Sequence, residues 1–183
     1  MRKLILLAAP FWAACSTPFM TGDTYPTGPA GPGEAKVVVY RPPGRNAPRD
    51  YAVYDGERLV GFAEDRSWFE FRCPAGNRVF LIRSGNDSAL RGSLEAGRTY
   101  YLRVESRVEP FRLRPVLVPV TAEAREQREE EMLDCQLRGF VPENAFHFID
   151  ATHYQVLERL AYYASPEGLR ECGALRPEDG TKD

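Results

Sequence analysis

Between residues 35 and 120 the chain is a close succession of short β-type runs, and this pattern constrains the fold more than any other feature. Turn signals separate the runs: Asp55-Gly56 suits the positive φ angles of a tight hairpin turn, and Gly85-Asn86-Asp87 is a second signal of this kind. Seven or eight short strands with turns at close intervals predict a mainly β fold, an antiparallel β-sandwich. The predicted strands are 36–41, 51–54, 58–63, 67–73, 77–84, 89–94, 98–106 and 112–120.

The last two predicted strands are consistent with a hairpin. If residues 108–111 form its loop, Arg107 faces Arg112, and Val104 lies on the face that carries Leu117. Polar then meets polar and apolar meets apolar, as a half-buried antiparallel pair requires. Because the two prolines of the second strand cannot donate to a ladder, we expect this strand at an edge of its sheet or at a bend.

The pattern changes from strand to helix at residue 121. Residues 122–137 contain strong helix formers and neither proline nor glycine. A further helix start is indicated at Ser165, a favoured N-cap residue that Pro166 follows. Between them, a helix is predicted from apolar residues spaced three and four apart, which are Leu157, Leu160, Ala161 and Ala164. We therefore predict a β-sandwich domain at 35–120 and a helical C-terminal extension at 121–183.

The N-terminus has the pattern of a signal peptide. Arg2 and Lys3 precede an apolar run that ends in small residues, and the run is shorter than the about 20 residues that a spanning helix needs. Trp12-Ala13-Ala14-Cys15 resembles the lipobox of bacterial lipoproteins, although that family usually has Leu where Trp12 stands. The resemblance implies a signal peptide at 1–14 and a lipid on Cys15. The alternative is an ordinary cleaved signal that happens to contain a cysteine.

The residues after Cys15 indicate the cellular location of the protein. In the lipoprotein family of Gram-negative cells, an Asp directly after the modified cysteine retains the protein at the inner membrane, and here that position is Ser16. The resemblance therefore implies an outer-membrane lipoprotein that faces the periplasm. Pro, Gly and Thr then dominate up to residue 34, without an apolar period. We predict that residues 15–34 are a tether.

A wider resemblance rests on four stretches, whose order and spacing match one family. They are Val37-Val38-Val39-Tyr40-Arg41-Pro42, Asp55-Gly56 with Gly61, Pro74-Ala75-Gly76, and Leu94-Glu95-Ala96-Gly97-Arg98-Thr99-Tyr100-Tyr101. With these, roughly Ala35 to Leu137 resembles the bacterial lipoprotein domain known as domain of unknown function twenty-eight forty-six. The resemblance implies a β-sandwich and no known activity.

Three cysteines remain once Cys15 is set aside, and an oxidising envelope permits disulfides. Cys73 lies inside a predicted strand, where we expect a small buried apolar residue. Cys135 and Cys172 flank the C-terminal segment, and we predict a disulfide between them.

Catalytic and metal-binding patterns are weak in this sequence. The two histidines, His147 and His153, lie far from Cys73 in sequence and in no recognised nucleophile motif. Together with Asp150 they are spaced three apart, but this is no established ligand spacing, and we favour ordinary surface or packing residues. No Gly-rich phosphate loop and no paired carboxylates stand out, so we predict neither a cofactor nor a metal.

The most concentrated positive feature is the strand face that carries Arg103, Arg107, Arg112 and Arg114. Guanidinium groups bind oxyanions in bidentate fashion, so this face is a candidate anion site for a lipid phosphate or a peptidoglycan carboxylate. The alternative is a solvated sheet face balanced by Glu105 and Glu109.

The net charge of the chain argues against nucleic acid as a partner. Lys and Arg number 24 against 26 Asp and Glu, a net charge of −2, and loss of Arg2 and Lys3 with the signal peptide makes it −4. This acidity argues against a nucleic-acid partner, which normally requires a basic face.

Together these features predict a non-enzymatic envelope lipoprotein, held to the membrane by its N-terminal lipid. Its sandwich is expected to bind another envelope protein or an envelope polymer such as peptidoglycan. The alternative is a hydrolase or metal-dependent enzyme that acts on cell-wall or lipid material, with His147 or His153 in its site.

Overall fold

The computed structural model of the chain describes residues 18–22, 24, 26–44, 49–110 and 112–182, so the predicted signal peptide and Cys15 lie outside the described residues. The described chain contains more β-strand than helix. The strands are β1 (Met20–Thr21), β2 (Glu34–Arg41), β3 (Tyr51–Asp55), β4 (Arg58–Ala63), β5 (Ser67–Pro74), β6 (Gly76–Arg83), β7 (Ser88–Leu94), β8 (Arg98–Glu109), β9 (Arg112–Val120), β10 (Gln136–Leu137), β11 (Gly139–Phe140), β12 (Gly173–Leu175) and β13 (Thr181–Lys182).

The long strands form two sheets. The first has the order β10-β5-β2-β8, with β9 and β13 both paired to β8, and the second has the order β12-β7-β6-β3-β4. The predicted fold class, a mainly β sandwich with C-terminal helices, is confirmed. Most pairs are antiparallel, but β2–β8, β5–β10 and β7–β12 are parallel. A parallel pair needs a long crossover connection, and here most of the second sheet forms between β2 and β8.

Alternation along the strands places one set of side chains between the sheets. In β5 the buried residues include Phe69, Phe71 and Cys73, while the residues between them are only half-buried. The ring of Phe71 meets that of Phe80 from the second sheet, with centroids 6.1 Å apart. The prediction that Cys73 is a buried residue of a strand is confirmed.

The hairpin of β8 and β9 has the predicted faces but not the predicted register. Arg107 pairs with Arg114 instead of Arg112, while Val104 and Leu117 pair on the face that they were expected to share. The connection has two residues, 110 and 111, instead of four, which moves the register by two and leaves each side chain on its face. Among the described strands β9 pairs only with β8, which confirms its edge position.

Three helices cover the outer faces of the sandwich, α1 (Arg125–Leu133), α2 (Phe146–Ala164) and α3 (Pro166–Glu171). Helix α1 lies on the first sheet, where the Arg128 guanidinium stacks 3.7 Å from the Tyr101 ring centroid. Glu131 of α1 accepts hydrogen bonds from the Tyr40 hydroxyl at 2.9 Å and from Arg103 at 2.8 Å. Burial and this bond to Glu131 raise the pKa of Tyr40.

Helix α2 lies on the outer face of the second sheet. The Tyr54 hydroxyl contacts Thr152 Oγ1 at 3.1 Å, and Val156 and Tyr163 are buried against the sheet. Short 3-10 turns precede or follow the helices at Ala122–Ala124, Pro142–Ala145 and Pro177–Asp179.

The region predicted as a helical C-terminal extension, 121–183, contains the helices and also short strands that complete both sheets. Helix α1 ends at Leu133, and Gln136–Leu137, which the sequence assigned to the same helix, pairs in parallel with β5. At the other end β12 extends the second sheet beside β7, and β13 pairs with β8. Strands of two or three residues carry no periodicity, so helix propensity alone decided the prediction.

The predicted tether at 15–34 is wrong at residues 18–22, which belong to the folded domain. β1 pairs with β11, and Met20 is 1 % exposed within the core. The ring of Phe19 stacks on Phe62, with centroids 4.7 Å apart. The fold therefore begins by Pro18, and the Pro- and Gly-rich composition concealed a two-residue strand.

The predicted disulfide between Cys135 and Cys172 is wrong, because both are free thiols. Cys135 directly precedes β10, at the β5 edge of the first sheet, whereas Cys172 precedes β12, which lies beside β9 at the other edge. The thiol of Cys135 points at the carbonyl oxygen of Arg41, 3.4 Å away, and that of Cys172 at the carbonyl of Tyr163.

The buried thiol of Cys73 should make the protein less stable in alkali. Burial raises its pKa to about 11 from an ordinary value of 9.0. The unfolded chain then loses the proton first, so stability falls as pH rises from about 9 to about 11, by on the order of 2 kcal/mol for this thiol. Urea unfolding at pH 8 and pH 10.5 measures the loss. In Cys73→Ala the loss should be smaller by that amount, and an equal loss in both proteins would contradict the assignment.

Candidate functional site

The two sheets are in contact along one side of the sandwich and apart along the other. On the closed side β9 lies against β7 and β12. On the open side the edge strand β4 of the second sheet and β5 of the first sheet leave a cleft of about 610 Å³. This volume is in the range of small-molecule binding sites.

The walls of the cleft are mainly apolar. Leu59 and Val60 of β4 form one wall, and Phe69 and Phe71 of β5 form the other. The remaining apolar lining comes from the segment that the sequence placed in a helical extension, and consists of Leu137, Phe140, Pro142 and Ile149.

Gly61 determines how closely the two walls approach. A Cβ at this position would lie 2.8 Å from Cε2 of the Phe69 ring, so only glycine lets β4 come this near to β5 without displacing that ring. The Phe69 ring thus packs directly against β4 in the wall of the cleft.

Charged residues surround the apolar lining. Arg58 donates to the carbonyl oxygen of Arg72 at 3.0 Å, and Arg138 pairs with Glu64 at 2.6 Å. Glu70 lies 3.8 Å from the Lys36 ammonium. Of the charged residues that line the cleft, three are arginines, Arg58, Arg72 and Arg138, and two are acids, Glu57 and Glu70. The cleft therefore combines an apolar interior with a rim of small net positive charge.

The N-terminal segment closes part of the open side. Thr24 and Thr27 both line the cleft. The backbone N–H of Thr27 donates to the Glu70 carboxylate, and Arg72 donates to the carbonyl oxygen of Thr27. The segment that the sequence predicted to be a tether thus helps to build the candidate site.

The structure does not bring the four predicted anion-binding arginines together. Arg103 lies under α1 and pairs with Glu105 and Glu131. Arg107 is exposed near the end of the hairpin. Only Arg112 and Arg114 share a cavity, of about 170 Å³, between the hairpin and α2.

That polar cavity already contains acids for its arginines. Arg114 lies 3.7 Å from Glu171, and Arg159 of α2 lies 3.2 Å from Asp87. Arg112 pairs with Glu109 at 2.6 Å. Anion binding by Arg103, Arg107, Arg112 and Arg114 stays a prediction, and these ion pairs favour the alternative of a balanced polar surface.

His147 and His153 lie on the exposed side of α2, and neither lines the cleft. Among the described residues no group of three or more His, Cys, Asp or Glu converges on a point where a metal ion could sit. Catalysis by either histidine stays a prediction that no contact of the described chain favours.

Sequence reasoning missed the cleft, although it assigned both of its main walls to strands. The signal that was available was the sequence of β4, in which Leu59 to Ala63 are all buried without alternation, as in a strand that is covered on both faces.

Among the described helices, none is both long and apolar enough to cross a membrane. No family model matches the chain, and neither does a curated protein or a solved structure.

Proposed function

We propose that this chain is a lipid-anchored, non-enzymatic binding module of the bacterial envelope, whose cleft holds the apolar chain of a small anionic amphiphile. The observation that carries the proposal is the apolar cleft of about 610 Å³ between β4 and β5. The lipid anchor at Cys15 and the outer-membrane address rest on the resemblance of Trp12-Ala13-Ala14-Cys15 to a lipobox.

The lining selects the chemistry of the ligand. Leu59, Val60 and Phe71 offer an apolar surface that is favourable for an alkyl chain, because water leaves both surfaces on binding. At the rim, Arg58 lies 3.5 Å from the buried carboxylate of Asp55 but keeps more than half of its side chain exposed, so its open side suits a carboxylate or phosphate head group. A fatty acid or a single-chain phospholipid combines both parts.

The experiment is titration of the detergent-free protein with a dansylated fatty acid, followed by displacement with palmitate. Leu137→Glu places a carboxylate in the apolar lining, where its desolvation opposes binding. We expect this variant to weaken binding at least about tenfold, which corresponds to about 1.4 kcal/mol.

Leu133→Glu is the matched control, because the same substitution is made four residues earlier on a side chain that is 83 % exposed and outside the cleft. It should bind the probe as the unmodified protein does. The proposal is wrong if no saturable binding is seen, or if both variants lose binding equally.

A partner protein or peptidoglycan, the wider class expected from the sequence, is a separate outcome. In-cell crosslinking followed by mass spectrometry would identify such a partner. A partner that is captured equally well by Leu137→Glu would bind outside the cleft, and the amphiphile would then not be what recruits it.

A further inference from the structure

We infer that the exposed face of α2 rests on the bilayer that carries the lipid anchor, so that the domain lies on the membrane in one fixed orientation. This inference depends on the proposed lipidation of Cys15. It goes beyond anchoring, because a lipid on a flexible tether would leave the domain free to rotate.

The first observation is an uncovered apolar stripe on α2. Phe146 is 67 % exposed, Tyr154 78 % and Leu157 37 %. At 100° per residue these three positions fall within an arc of about 80° around the helix, so they face one direction. The other exposed large hydrophobic side chains of the described residues are scattered singly, at Val108, Leu133 and Leu169.

The second observation is where the chain enters the fold. The side-chain amide of Asn144 donates to the carbonyl oxygen of Pro18 at 2.7 Å, and the N–H of Val141 donates to that of Phe19 at 3.0 Å. Pro18 is thus held against Asn144, which precedes Phe146 at the beginning of α2 by two residues.

The third observation is the short length of chain between the proposed lipid on Cys15 and the start of the fold at Pro18. Only Ser16 and Thr17 separate Cys15 from Pro18, so the Cα atoms of Cys15 and Pro18 are at most about 11 Å apart. A lipid on Cys15 therefore holds the first turn of α2 close to the membrane surface. With no long tether, some face of the domain must touch the bilayer, and the apolar stripe begins beside the point of attachment.

The chemistry of the stripe suits the interfacial region of a bilayer. Phenylalanine, tyrosine and leucine side chains favour this depth, where the apolar part is buried and a hydroxyl reaches water. By the same helical geometry the exposed Asp150 lies within this arc and the exposed His153 beside it, so the face is polar enough to stay shallow. Because three side chains bind weakly alone, the anchor must supply the high local concentration that makes the contact persist.

The test is fluorescence quenching of single tryptophans in proteoliposomes of phosphatidylethanolamine and phosphatidylglycerol with brominated acyl chains. The lipidated protein is prepared with Trp68→Phe, and with Phe146→Trp or Leu157→Trp. Val108→Trp and Leu133→Trp are the controls, since these positions are 76 % and 83 % exposed but lie on the hairpin end and on α1.

We expect the brominated lipids to lower the fluorescence at positions 146 and 157 at least about twofold, while the two controls change little. If the protein floats with the vesicles but positions 146 and 157 are not quenched, the orientation is wrong while the anchor stands. Equal quenching at all four positions would also overturn it. If the protein does not float, the anchor is wrong and the orientation is wrong with it.

Discussion

Replacement of Met20 by alanine is expected to lower the free energy of unfolding by about 3 kcal/mol, the usual loss for a large buried apolar side chain. Met20 is 1 % exposed, and its sulfur accepts a hydrogen bond from the backbone N–H of Phe62 at 3.3 Å. The truncation leaves a cavity and an unpaired N–H at the centre of an aromatic cluster. Urea denaturation followed by circular dichroism measures the change.

Pro29→Ala is the control, because Pro29 lies in the same Pro- and Gly-rich segment but is exposed. Its effect should stay within about 0.5 kcal/mol. A flexible tether would make the two substitutions equally harmless. If Met20→Ala leaves the stability unchanged, residues 18–22 are not part of the core and the orientation inferred for α2 loses its basis.

Gly168→Ala is expected to be as damaging, at about 3 kcal/mol or roughly 10 °C in the melting temperature. A Cβ at Gly168 would lie 2.7 Å from the Cα of Tyr163, and closer still to the carbonyl oxygen of Tyr162. These are backbone atoms of α2, so no side-chain rotation relieves the overlap. Helix α3 must move away from the end of α2.

Gly44→Ala is the matched control, since a Cβ there meets nothing within 4 Å. It should leave the melting temperature within a degree or so of the original, or raise it slightly through the unfolded state. Hydrogen exchange in the α3 segment provides a second measurement, because only Gly168→Ala should accelerate it. Equal melting temperatures for the two variants would show that α3 does not pack against α2 as described.

The long strands were predictable because each has its own alternation and its own turn. Cys73 was placed correctly inside β5 by that pattern, and the faces of β8 and β9 followed from matching polar and apolar positions. The pairing register of β8 with β9 was not predictable. Loops of two and of four residues leave the side chains on the same faces and change only which residues pair.

The cleft could not be predicted, because its lining comes together only through contacts between distant parts of the chain. Leu137 belongs to a strand of two residues that follows a strong helical run, and Thr24 and Thr27 follow another, β1, in a Pro- and Gly-rich segment. Neither strand has a period, and both are stabilised only by a partner strand formed elsewhere. Local sequence therefore identified the walls but not the residues that complete the site.

The parallel pairing of β2 with β8 has a consequence for how the chain acquires its structure. Val37 pairs with Tyr100, and Met20 pairs with Phe140. At the start of β8, Thr99 pairs with Thr181. β1 and the start of β8 thus lack these partners until residues 139–182 have been synthesised, and such long-range pairings make folding slow. If the chain is exported as proposed, both sheets are therefore complete only after the C-terminal strands have crossed the membrane.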